Sequence, residues 1–404
     1  MPTTQRLFRL IVDDLTGHGR FSLRLTDGQG RSLSTHQVNA DPNDACWRGL
    51  FEMDVYLEAQ RGRFGFEQQQ NGQADRALLA ELGDFLRAQV LGPQIAGVLF
   101  ASAQPGIIFV ELPAERRPEV LELTRIPWEL ARSERGQTLP EASLAVQLVP
   151  RGLMPGDVSL DQALAEARPF EPGGPLRILL AFAQSRGQVA LAMREMRERL
   201  RQFFLEKVAP RYQIELDILQ YGVTQGTLEH AARRGGGYHI VHLFAHGHED
   251  LLVLEDDEGQ DDEVSGEKIA GLLSGDFAAA PQLVFLTACH SGEIKLKREI
   301  ADVWQAVRQV QAQTKPDAPV TLEAPEPAAA ALAAYTGTAL AMLRAGVPQV
   351  VAMRYTVEER FAFDLAEEFY RYVLLDGMPP ALALGRFRAK ARKADALPPY
   401  RPHD

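Results

Sequence analysis

Apolar runs spaced for strands and for helices alternate along most of this chain. Near the start, RFSLRLTDGQGRSLSTHQV holds two strand-like runs around TDGQGR, a hairpin signal. Residues 1–72 therefore read as a β-rich N-terminal region, ending in the polar, glycine-containing stretch RGRFGFEQQQNGQAD. From Arg76, RALLAELGDFLRAQVL has helical apolar spacing, and GIIFVEL reads as a strand. LTRIPWEL and SLAVQLVPRG follow, then ARPFEPGGP, which reads as a linker closing a second region at 73–170.

The third region, 171–404, repeats the alternation more clearly. Strand LRILLAFA, helix LAMREMRERLRQFFLEKV, strand YQIELDILQY, helix TQGTLEHAARRG and strand YHIVHLFAHG come in turn. A short helix near SGEKIAGLL and the strand QLVFLTA complete the set. Alternation of this kind predicts an α/β fold with a mostly parallel sheet covered on both faces. In such sheets ligands sit beyond the carboxyl ends of the strands. Residues 293–327 break the pattern, because TKPDAPVTLEAPEP holds four prolines and suits neither a helix nor a central strand. The stretch reads as an exposed, mobile linker. A helix over 328–345, the strand PQVVAMRY, the helix ERFAFDLAEEFYRYVLLDG and a basic last helix are predicted beyond it.

Composition narrows the function. An apolar fraction of 46% supports a large core, and a net charge of −11 opposes an extended nucleic-acid groove. The N-terminus meets charge too soon for a secretory signal. The longest weakly polar run, AAAALAAYTGTALAMLRAGV, carries an arginine and glycines, so no membrane span is expected. Two cysteines, Cys46 and Cys289, fit a reducing compartment, and a cytoplasmic protein is expected.

Cys289 lies just past the strand LVFLTA, where side chains reach a cleft. A cysteine nucleophile needs a base within reach and donors for an oxyanion. His246 ends the apolar run of YHIVHLFAHG and precedes Gly247, whose bare backbone can approach a reacting carbonyl. Two such strands side by side would bring His246 and Cys289 together, with the Gly247 and Cys289 amides as an oxyanion hole. His242, inside the strand, reads as a core histidine satisfied by a hydrogen bond. Cys46 has no histidine near it in sequence and reads as structural. The acidic stretch HEDLLVLEDDEGQDDEVSG departs from EF-hand spacing and reads as a solvated loop, so no metal is assigned.

These segments resemble the CHAT group of caspase-like cysteine peptidases, relatives of separase, metacaspases and caspases. RIPWEL is similar to that family's PWE motif, YHIVHLFAHG to its histidine motif and LVFLTACHSG to its nucleophile motif. The similarity runs from about residue 76 to the end. It implies a caspase-like α/β sandwich in which residues 73–170 are a degenerate first half and 171–404 the catalytic domain. Trp128 would then be core. His246 would act as base and Cys289 as nucleophile. Thr287 occupies the position where metacaspases hold a basic substrate side chain with an aspartate. Arg354 and Tyr355, in the segment matching the small subunit of caspases, would line the substrate groove.

The expected function is a cysteine endopeptidase working without metal or cofactor on specific protein targets. The family implies a regulated protease of a bacterial defence or cell-death pathway. It would be activated by a partner protein, an activating protease or a cut in the 293–327 linker. The competing reading is a catalytically silent scaffold that binds a partner. An α/β hydrolase is disfavoured, since the chain has no G-x-S-x-G elbow.

Overall fold

The computed structural model describes residues 6–17, 19–70, 72–101, 104–113, 118–149, 170, 172–186, 193–234, 237–248, 251–274, 280–288, 295–296, 335–353 and 359–393. Two compact units divide the chain. One takes Met1–Arg151, Ala167–Glu171 and Glu358–Asp404; the other takes Gly152–Glu166 and Pro172–Val357.

The first unit is built on five strands: β1 (Arg6–Gly17), β2 (Arg20–Asp27), β3 (Ser32–Asn39), β4 (Gly106–Glu111) and β5 (Leu144–Val149). Their order is β3-β2-β1-β4-β5. The hairpin expected at TDGQGR joins β2 to β3. The Asp27 carboxylate accepts the amides of Gln29 and Arg31, each at 2.9 Å, and Gly30 takes φ 78°. That is a turn glycine's use of the left-handed region. β1 pairs antiparallel with β2 on one side and parallel with β4 on the other. The stretches 1–72 and 73–170, separate in the sequence reading, thus contribute to one sheet. The reason is that β1 carries alternating buried Phe8, Leu10 and Val12, which join Ile108, Val110, Leu78 and Leu82 in one core. Trp128 is buried there, in a single 3-10 turn, Trp128–Leu130.

The second unit holds β6 (Pro175–Phe182), β7 (Gln213–Gln220) and β8 (Ile240–Phe244). Next come β9 (His246–His248), β10 (Leu251–Glu255), β11 (Asp261–Ser265) and β12 (Leu283–Thr287). Two-residue strands β13 (Lys295–Leu296) and β14 (Tyr335–Thr336) pair with each other, and β15 (Gln349–Ala352) is last. The main sheet runs β15-β12-β8-β6-β7, every pairing parallel. Its central strands β8 and β12 are buried at every position, as continuous apolar runs between two covered faces should be.

Two sequence readings change. The acidic stretch at 248–266 is not a loop throughout. β10 and β11 form a hairpin, because Leu252, Val253 and Leu254 are buried while the acidic residues fill the turn and the outer positions of β11. The helix expected over 328–345 is seen as Thr338–Arg344, directly after β14. Gly337 at φ 153° starts it, a backbone setting outside any helix.

The helices Gly266–Ser274 and Thr338–Arg344 touch backbone to backbone at Gly266. A Cβ there would lie 2.4 Å from Thr338 Cα. Backbone must shift to admit it, so Gly266→Ala is expected to cost about 1–3 kcal/mol. A thermal or urea melt with an unchanged midpoint would contradict this close approach.

Candidate active site

The carboxyl ends of β6, β8 and β12 come out side by side. β8 and β12 pair in register, His242 with Phe285 and Phe244 with Thr287. One further bond extends the pairing, from the Ala245 amide to the Thr287 carbonyl at 3.2 Å. On the other flank the Ala183 amide donates to the Phe244 carbonyl at 2.9 Å. The end of β8 is therefore held from both sides.

After Ala245 the chain turns out of the main sheet. His246 and Gly247 start β9, which pairs antiparallel with β10, His246 opposite Val253 and Gly247 opposite Leu252. Both residues are half-buried. β9 is thus a short spur, hung between the main sheet and the β10–β11 hairpin. Cys289, Arg354 and Tyr355 lie outside the described residues; the described stretch that holds β12 ends at Ala288, itself buried.

His242 is 1% exposed and stacks on Phe285, with ring centroids 4.7 Å apart and 25° between planes. Its Nε2 shares a 2.9 Å hydrogen bond with the Thr287 hydroxyl. It is the core histidine that the sequence suggested. Burial drives its pKa down to about 3, so the ring is neutral at any physiological pH. Thr287 is 7% exposed and its hydroxyl is engaged inside the sheet.

Sequence reasoning missed Glu255. This carboxylate ends β10, is 6% exposed, and accepts three backbone amides: Gln184 at 3.2 Å, Gly222 at 2.8 Å and Val223 at 3.2 Å. It therefore ties the exits of β6 and β7 to the strand that pairs with β9. The only trace in sequence is a lone glutamate closing the apolar run LLVL, which looks like the start of the acidic stretch.

Among the described residues no group of three His, Cys, Asp or Glu side chains is placed to hold a metal. One of the acidic residues serves the hairpin turn. Asp256 accepts the amides of Glu258 at 3.0 Å and Gln260 at 2.7 Å. A cavity of about 690 Å³ lies in the first unit, lined by Leu144, Tyr372, Arg386 and Lys390 among others, and includes no residue of the histidine or cysteine motif.

A five-stranded parallel sheet flanked by helices, with a histidine-glycine pair leaving one central strand and a cysteine motif following its neighbour, is consistent with a caspase-like α/β fold. The sequence profile of the CHAT domain matches residues 118–404. That span is well over half of the chain, and the protein belongs to the CHAT family, a family of caspase-like peptidases. The match begins at 118, later than the start near 76 suggested by the motifs alone. Comparison with curated proteins gave no significant match. No helix among the described residues is long and apolar enough to cross a membrane.

The burial of neutral His242 has a consequence for stability. In the unfolded chain the ring titrates near 6.5, and in the folded chain near 3. Between those values the unfolded state binds more protons, so stability falls as pH drops through this window. The contribution is about 2 kcal/mol between pH 7 and pH 5. Urea unfolding at the two pH values should show this loss, and His242→Phe should remove that part of it. An equal pH dependence in the variant would refute the assignment.

Proposed function

We propose that this protein is a cysteine endopeptidase in which His246 and Cys289 form the catalytic dyad. One observation carries the reading: β8 and β12 are adjacent, parallel and paired up to Phe244 and Thr287. His246 and Cys289 are each two residues further on. Two residues is a short reach, so continuations from these neighbouring strand ends can bring the two side chains together at one edge of the sheet. Membership of a caspase-like peptidase family supports the same roles.

In the reaction, His246 takes the proton of the Cys289 thiol and the thiolate attacks the scissile carbonyl. The amides of Gly247 and Cys289 stabilise the oxyanion. The imidazolium then gives its proton to the leaving amine as the C–N bond breaks. Water, deprotonated by His246, cleaves the thioester, which releases the acid and restores the thiol. No step uses a metal or cofactor. The substrate is a protein, Arg354 and Tyr355 belong to its groove, and the enzyme acts in the cytoplasm within a regulated bacterial defence or cell-death pathway.

A cysteine-directed activity probe should label the wild type at Cys289, and neither Cys289→Ala nor His246→Ala should react at a comparable rate. Peptidase activity should fall by about 10³-fold or more in each variant. Full activity in Cys289→Ala would refute the dyad, and a wild type with neither labelling nor peptidase activity would leave the scaffold reading as the better one.

The connection between β12 and β15 supports regulation by cleavage. β13 and β14 pair at Lys295–Thr336 and Leu296–Tyr335, so Leu296 and Tyr335, which flank most of the 293–327 linker, lie side by side. A cut within the linker would give one fragment carrying β6, β7, β8 and β12 and another carrying β15, which β12 pairs with directly. The fragments should stay associated on gel filtration, and cleavage should raise activity. A cut chain that separates, or one with unchanged activity, would rule out this form of activation.

A further inference from the structure

His242 and Thr287 face each other diagonally across the two strands that lead to His246 and Cys289. Backbone pairing puts His242 opposite Phe285, and the 2.9 Å bond from its Nε2 reaches one pleat further to the Thr287 hydroxyl. The bond therefore ties β8 to β12 at Thr287, the last residue of β12.

Stability does not require a polar link here. The surroundings are apolar, with Phe285 stacked on the imidazole and Phe182 and Phe244 in ring contact at 6.0 Å. Phenylalanine and valine would fill the same volume without burying two polar groups, and such replacements are often neutral or stabilising. A directional bond does something an apolar pair cannot. It holds the threonine at one rotamer and fixes the slide of β12 along β8. Only Ala288 separates Thr287 from Cys289, so a change in that slide would be passed on to the thiol.

We propose that the His242–Thr287 hydrogen bond is a positioning device that sets Cys289 against His246, which makes both partners positioning residues for the reaction. The assignment rests on the cysteine-peptidase reading above. It also gives Thr287 a task other than substrate contact: it acts through the strand, not on the substrate side chain.

The test uses the full chain and reads alkylation of Cys289 by iodoacetamide against pH, quantified on the Cys289 peptide by mass spectrometry. This needs no knowledge of the substrate. Thr287→Val and His242→Phe should each slow alkylation near neutral pH by about tenfold and raise the midpoint of its pH profile. Thr287→Ser, which keeps the hydroxyl, should follow the wild type. The double variant removes both members of this bond and should melt at or above the single variants, yet it should not regain wild-type reactivity. It carries the test if a single variant fails to fold. Profiles of the variants that superimpose on the wild type, or recovery in the double variant, would overturn the proposal. Failure of the dyad itself looks different: His246→Ala would then leave the profile unchanged with the His242–Thr287 pair intact, and the positioning role would fall with it.

Discussion

The parallel pairing of β8 with β12 is the constraint on which the rest of the second unit depends. In sequence the two strands are separated by a hairpin and a helix, so only the register Phe244–Thr287 brings their carboxyl ends to one level. A slip of one residue would turn every side chain of one strand to the opposite face. Leu243, Ala245, Val284, Leu286 and Ala288 share one core, and His242 and Phe285 stack on the other side of the sheet. Each face therefore opposes a slip independently.

Among the described residues, two buried polar arrangements tie the strands of this unit together. His242 and Thr287 link β8 to β12; Glu255 links β10 to the exits of β6 and β7. Both arrangements satisfy groups that would otherwise be costly to bury. They differ in kind. The carboxylate of Glu255 accepts backbone amides, which are present whatever the neighbouring side chains are. The His242–Thr287 bond depends on two side chains and can be removed at either end. Glu255 thus reads as part of the architecture, and its tie holds loops that no regular ladder reaches. The turn it clasps has Tyr221 and Gly222 at φ 62° and 65°, a left-handed pair that gains from such an anchor.

Much of this was legible in the residues because burial was continuous. LVFLT and IVHLF show no polar alternation, so both read as central strands, and a histidine within one of them had to be a satisfied core group. The β10–β11 hairpin was hidden for the opposite reason. Its turn, EDDEGQ, carries so much charge that the short apolar run before it was outweighed. Glu255 was lost in the same charge, since composition cannot tell the one buried carboxylate from its exposed neighbours. The partner of His242 was also out of reach. Thr287 was singled out for its place before Cys289, but only the register shows that its hydroxyl meets the imidazole. Parallel pairing of β1 with β4 joins segments on either side of residue 72 that are far apart in sequence, and local pattern carries no trace of it.

The span of the family match and the compact units do not coincide, and the difference bears on what residues 1–117 do. The match starts at 118, inside the first unit, and runs to 404, taking in the helices Glu359–Tyr370 and Pro380–Lys393, which return to that unit. The last helix lies on β5: a Cβ on Gly385 would sit 3.3 Å from the Ala145 Cβ. Arg388 reaches Glu129 at 3.3 Å and Arg392 reaches Glu141 at 3.5 Å, but such partly exposed pairs add little by themselves. Among the described residues β5 has one strand neighbour, β4, which lies before the matched span. Cut at 118, β5 would lose its whole ladder and the final helices would face a lone strand. The preceding strands therefore complete the surface on which the family's own C-terminal segment folds, and they belong to the working protein as much as the matched residues do.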